Sequence, residues 1–128
     1  MFAMQRLLAG THRDMNPGSY EDVLTRQHLD ILRSATDFDN QPQQITAIDG
    51  VRQSRLRNNP DTFAAGYTNY YATSHSIFLP KFADVKADST AKEIYAQLYP
   101  GRAVIQSNID SIAADGGGIH CTTQQEII

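Results

Sequence analysis

The sequence predicts an α/β fold built from two strand–helix–strand passages in tandem. Apolar residues recur at helical spacing in two separate stretches, about 19–35 and 89–98. Short apolar runs, each bounded by turn formers, flank both stretches. No residue-level repeat links the passages, so the repetition is one of structure.

The elements follow in order. Arg6-Leu7-Leu8-Ala9 reads as a strand or strand remnant, and Asn16-Pro17-Gly18 as a loop. The first helix runs from about Ser19 to Ala35. Tyr20, Leu24, Ile31, Leu32 and Ala35 share one face, with Val23 and His28 beside them as partly buried packing residues. Ser19 caps it, with Asp22 three residues on, as in a capping box. Gln44 to Ile48 is a strand stopped by Asp49-Gly50, and the stretch to Asp61 is polar and irregular. Phe63 to Thr73 and Ser76 to Leu79 read as two strands, a hairpin around Ser74-His75. The second helix spans about Ser89 to Leu98, with Ala91, Ile94, Tyr95 and Leu98 as its stripe and Pro100-Gly101 as its stop. Ala103 to Ile105 is a strand, Ile109 to Ala113 a short element, and Gly116 to Gly118 a loop or strand entry. Ile119 to Thr122 resumes extended structure.

The 128 residues amount to one domain, and their apolar share of 41% and charged share of 20% are those of a globular protein. A formal charge of −3, with Lys and Arg spread along the chain, argues against a nucleic-acid surface. No apolar run is long enough for a membrane span or a secretory leader. A single cysteine excludes an intramolecular disulfide and fits a reducing compartment.

That cysteine closes the most unusual local string, Gly116-Gly117-Gly118-Ile119-His120-Cys121. Consecutive glycines cost entropy on ordering, and a fold keeps them where backbone approaches something closely or needs positive φ. The plainer reading is a loop before a last strand, with Cys121 a small buried hydrophobe. The sharper one is a nucleophile, which needs a base or a positive field to become thiolate. In an extended segment His120 faces away from Cys121 and is structural, so the base comes from elsewhere. His12, His28 and His75 have no metal-ligand spacing to one another or to Cys121, so no metal and no cofactor is expected. Asp110 and Asp115 read as turn formers.

The string 116–127, GGGIHCTTQQEI, resembles the C-terminal signature of the agmatine deiminase and Porphyromonas-type peptidylarginine deiminase family. Cys121 and Gln124-Gln125 keep its pattern. Thr122 departs from it where an apolar residue is common, and Ile127 where proline often follows. Ala65 to Tyr71, Ile77 to Phe82, Ala91 to Gly101 and Tyr20 to Asp37 are similar to further family segments, in order, so the likeness covers nearly the whole chain.

The resemblance implies the C-terminal part of a pentein-type five-unit α/β propeller, about two of its units, with residues 1–128 the C-terminal portion of a deiminase domain. It implies a C–N hydrolase that converts agmatine to N-carbamoylputrescine and ammonia through covalent Cys121, in putrescine biosynthesis in the cytoplasm. Peptidylarginine is the alternative substrate. Asn69, Gly117 and Gly118 are the substrate-side candidates. The family's His-x-Asp motif and guanidinium-holding carboxylates are expected upstream of everything matched here, so none of them is assigned to a residue of this chain. The expectation is therefore a chain that is not a competent deiminase by itself and that self-associates or pairs with a separately encoded N-terminal part. The competing class is a non-catalytic assembly module.

Overall fold

The computed structural model describes residues 6–11, 20–52 and 62–126. Strands β1 (Arg6–Thr11) and β2 (Gln44–Asp49) pair in parallel, with Leu7 opposite Ile45 and Gly10 opposite Ile48. Helix α1 (Tyr20–Ser34) lies between them in sequence. Parallel neighbours need a crossover, and α1 supplies it. The predicted Ser19 cap and the Asn16-Pro17-Gly18 loop lie outside the described residues, as do residues 53–61.

The second unit is a mixed sheet of β3 (Tyr71–Ala72), β4 (Ser76–Lys81) and β5 (Ala103–Asn108), in that order. β3 and β4 form the predicted hairpin, its turn tied by Thr73 N–H to Ser76 O at 2.8 Å and Ser76 N–H to Thr73 Oγ1 at 3.0 Å. β4 and β5 are parallel, joined across helix α2 (Val85–Leu98). Pro80 sits in the central strand, yet it costs no bond towards β3, whose pairing ends at Phe78. Helix α3 (Asp110–Ala114) and a 3₁₀ turn, His120–Thr122, complete the chain.

Among the described residues, the core is concentrated in this second unit. Ile77 and Leu79 of β4 meet Ala87, Ala91 and Tyr95 of α2, residues four apart on one helix face. Tyr67, Phe82, Ile109 and Ala113 close it, and Ile48 and Val51 join from the first unit.

Four expectations are corrected. Helix α2 begins at Val85, not Ser89, because Asp84 caps it. The Asp84 carboxylate accepts the Ala87 N–H at 3.3 Å and both the Nε (3.1 Å) and Nη2 (3.2 Å) of Arg52. That guanidinium holds the Asp84 carboxyl well below the usual carboxylate range, against the burial that acts upward. Residues 63–70 are irregular, with a turn at 67–69, rather than a strand: no ladder neighbours them among the described residues, and Ala64 N–H donates instead to Ala113 O of α3 at 2.9 Å. On α1, Leu24 and Leu32 are half-buried, but His28 is exposed and Ile31 is 64% exposed. Among the described residues the neighbouring sheet has two strands, too narrow a platform to cover the whole predicted stripe. Finally, residues 119–122 are a 3₁₀ turn and not extended. Successive side chains there step by about 120°, so alternation no longer sets His120 opposite Cys121.

Candidate functional site

The site forms where the 62–70 loop runs beside the chain from α3 to the 3₁₀ turn. Thr62 Oγ1 donates to Ala114 O at 2.8 Å, and the Ala64 bond to Ala113 follows. At the far end of the loop, Asn69 spans the gap. Its Nδ2 donates to Cys121 Sγ at 3.0 Å, and its Oδ1 accepts the His120 N–H at 2.8 Å. Both ends of one amide are therefore engaged by the turn that carries the cysteine.

The three glycines prove to have separate reasons. Gly116 has φ +83°, in the left-handed region that disfavours any side chain. Gly118 is buried, and a Cβ there would lie 2.3 Å from Asn69 Cγ, so only glycine lets the amide reach the thiol. Gly117 has neither constraint, since its added Cβ would meet Ile112 at 3.4 Å. Its contacts are with α3, where its N–H donates to Ile112 O at 3.3 Å.

Cys121 is exposed, which removes the reading of a small buried hydrophobe. Its thiol is held below the usual cysteine range, chiefly by the Asn69 hydrogen bond and then by the Gly118 backbone N–H, while slight desolvation acts the other way. Both donors stabilise the charged form, which is the form that attacks carbon. Thr122 Oγ1 donates to Gly118 O and Ile119 O at 3.2 and 3.1 Å, and Thr123 Oγ1 to His120 O at 3.1 Å, tying the turn to itself. Thr122, out of pattern in the sequence, thus serves the turn. His75 lies in the β3–β4 turn, with Nδ1 at 2.9 Å from Ser74 Oγ. His12 lies outside the described residues. Among the described residues no cluster of His, Cys, Asp and Glu is arranged to hold a metal ion, and no helix is long and apolar enough to cross a membrane.

Behind the loop stands a network that sequence reasoning missed. Tyr67 OH donates to Asp88 Oδ1 at 2.7 Å, and Tyr95 OH donates to Tyr67 O at 2.7 Å. Asp88 Oδ1 also accepts the Phe82 N–H at 3.0 Å. The available signal was Asp88 itself, a charged residue three positions before Ala91 of the apolar stripe.

Residues 2–126 match the family model described as Porphyromonas-type peptidyl-arginine deiminase. The chain belongs to this family. Its members are C–N hydrolases. A Listeria monocytogenes relative, provisionally named agmatine deiminase 1, is 33% identical over 134 residues, covering 92% of this chain and 36% of its own. A Legionella pneumophila relative with a like provisional name is 27% identical over 101 residues, covering 79% and 29%. The chain thus spans about a third of the length of these family relatives. Among solved structures, a provisionally assigned arginine deiminase of Porphyromonas gingivalis superposes with a TM-score of 0.77 at 19% identity, over 96% of this chain and 35% of its own. The agmatine deiminase of Enterococcus faecalis gives 0.75 at 20% identity, over 91% and 36%. At such identities these two superpositions speak for the α/β fold.

Proposed function

We propose that this chain carries the nucleophilic part of a guanidine-hydrolysing active site, with Cys121 as the nucleophile and Asn69 as the residue that aims it. The observation that carries the reading is the 3.0 Å bond from Asn69 to an exposed thiol whose charged form is favoured. The Cys121 thiolate adds to the guanidinium carbon and forms a C–S bond. The tetrahedral adduct then breaks a C–N bond, and the departing nitrogen takes a proton and leaves as ammonia. Water adds to the resulting thiouronium, the C–S bond breaks, and the thiolate returns with release of a urea. Dividing the reaction this way replaces attack by water on a resonance-stabilised carbon with attack by a strong nucleophile.

The substrate we favour is agmatine, giving N-carbamoylputrescine, because the curated relatives carry that activity in their names. Peptidyl-arginine is the second reading, favoured by the family description. A free thiol and a single cysteine suit the reducing cytoplasm. The fold reading we extend in the same way: two βαβ units correspond to about two units of a five-unit propeller.

The thiol's donors are an amide and backbone N–H groups, and none of them transfers a proton. Turnover needs in addition a general acid–base and carboxylates that hold the planar cation, from residues beyond those gathered at Cys121. General acid–base catalysis is worth about 10² to 10⁴ in rate, so the chain alone modifies and does not turn over efficiently. The test is a haloacetamidine, a guanidine mimic that alkylates an activated thiol. The expected result is one label per chain on Cys121, absent in Cys121→Ser, with ammonia release from agmatine far below that of a full-length relative. Equal labelling of the Ser variant removes the nucleophile. Turnover at the full-length rate removes the need for further residues.

A further inference from the structure

We infer that Tyr95 is a positioning residue for Cys121, acting from inside the core through the turn that carries Asn69. This deepens the proposed reading and rests on Cys121 being its nucleophile. Tyr95 is fully buried on α2, and its hydroxyl donates to the Tyr67 carbonyl at 2.7 Å. Tyr67 is 1% exposed, and its own hydroxyl donates to Asp88 Oδ1 at 2.7 Å. Asp88 and Tyr95 stand two helical turns apart on one face of α2, so a single rigid element grips Tyr67 at its main chain and at its ring.

The grip matters because residues 63–70 have no strand ladder to define them. The bonds of Thr62 and Ala64 to α3 fix only the beginning of the loop. Its middle is fixed at Tyr67, two residues before Asn69, and its end at Tyr70, whose hydroxyl bonds that of Tyr99. Asn69 must then meet Cys121 Sγ and the His120 N–H together, with Gly118 packed against it so closely that a single added carbon would clash. An amide so confined has one useful position. Release of the Tyr67 carbonyl lets its peptide plane rotate and carries Asn69 away from the thiol. Asp88 Oδ2 has no hydrogen-bond partner among the described residues, so this carboxylate is committed through Oδ1 alone to Tyr67 and to the Phe82 N–H.

The test reads the thiol and not the hydrolysis. The rate of Cys121 alkylation by iodoacetamide is followed against pH in the full chain and in Tyr95→Phe, Tyr67→Phe, Asn69→Ala and Tyr99→Phe. The groups that face the thiol, Asn69 and the N–H groups of Gly118 and Cys121, do not titrate, and His120 is the same in every variant. A moved midpoint therefore reports geometry. Asn69→Ala is the reference and raises the midpoint. Tyr95→Phe, which deletes one oxygen, raises it in the same direction. It slows alkylation at neutral pH about three- to tenfold, as a half-unit to one-unit shift in thiolate formation demands. Tyr99→Phe removes a hydroxyl that bonds Tyr70 at the end of the same helix, and it leaves the profile unchanged. A folded Tyr95→Phe chain with the parent profile overturns the inference, as does an equal shift in Tyr99→Phe. Should Tyr95→Phe lose its circular dichroism, Tyr67→Phe breaks the Asp88 arm and is read by the same criterion. An unmoved Asn69→Ala profile instead removes the thiol-aiming role of Asn69 on which the inference stands.

Discussion

The two βαβ units have the same order of elements and, among the described side chains, different patterns of burial. Among the described side chains of the β1–α1–β2 unit, Ile48 and the neighbouring Val51 are the buried apolar ones, while α1 presents Val23 and Ile31 to solvent. In the β4–α2–β5 unit, α2 buries Ala87, Ala91 and Tyr95 against Ile77 and Leu79. The second helix also holds polar groups inside, Asp84 at its cap and Asp88 one turn on, and each has a long-range donor. A shared topology does not bring a shared pattern of burial. The unit with the buried, hydrogen-bonded carboxylates of Asp84 and Asp88 is the one that fixes the candidate site.

Substitution of core and surface residues breaks the comparison most sharply. Leu79→Ala removes a fully buried side chain and costs about 2–5 kcal/mol, read as a fall in the urea midpoint. Asp84→Ala removes the α2 cap and the partner of Arg52 and costs about 2–4 kcal/mol by the same measurement. The sign with pH follows from the lowered carboxyl of Asp84. Its contribution is complete above the unfolded carboxylate value near about 4 and fades as pH falls towards the depressed folded value. The stability gap between parent and Asp84→Ala therefore narrows in acid. A gap that is constant from neutral pH to strong acid contradicts this account.

Smaller effects sharpen it. Gly118→Ala forces Asn69 off the thiol, costs about 1–3 kcal/mol, and raises the pH midpoint of Cys121 alkylation. Gly117→Ala, next to it, leaves that midpoint in place. Ala83 has φ +58° in the turn that leads to the Asp84 cap, so Ala83→Gly stabilises the chain by about 0.5–1 kcal/mol in thermal melts. Ile31→Ala on the exposed face of α1 changes stability by less than about 0.5 kcal/mol. A loss as large as that of Leu79→Ala would mean that another surface covers α1.

The sequence by itself determined the helices and most of the strands. Apolar residues four apart mark Ala91 and Tyr95, turn formers bracket the strands, and Pro100-Gly101 stops α2 where expected. These features are set by contacts within a few residues, so one stretch of chain contains all the information. It also marked Cys121 and the glycines, because reactive type and backbone permissiveness belong to single residues. Only the tertiary structure decided the rest. The guanidinium that holds the capping carboxylate of Asp84 belongs to Arg52, 32 residues away. Local extension was the natural reading of Ile119 to Thr122, and the 3₁₀ turn prevails there where Asn69 meets the His120 N–H. The bond that gives the thiol its character joins residues 52 positions apart, and Tyr95 bears on it through a carbonyl, a group that every residue possesses and no sequence pattern distinguishes.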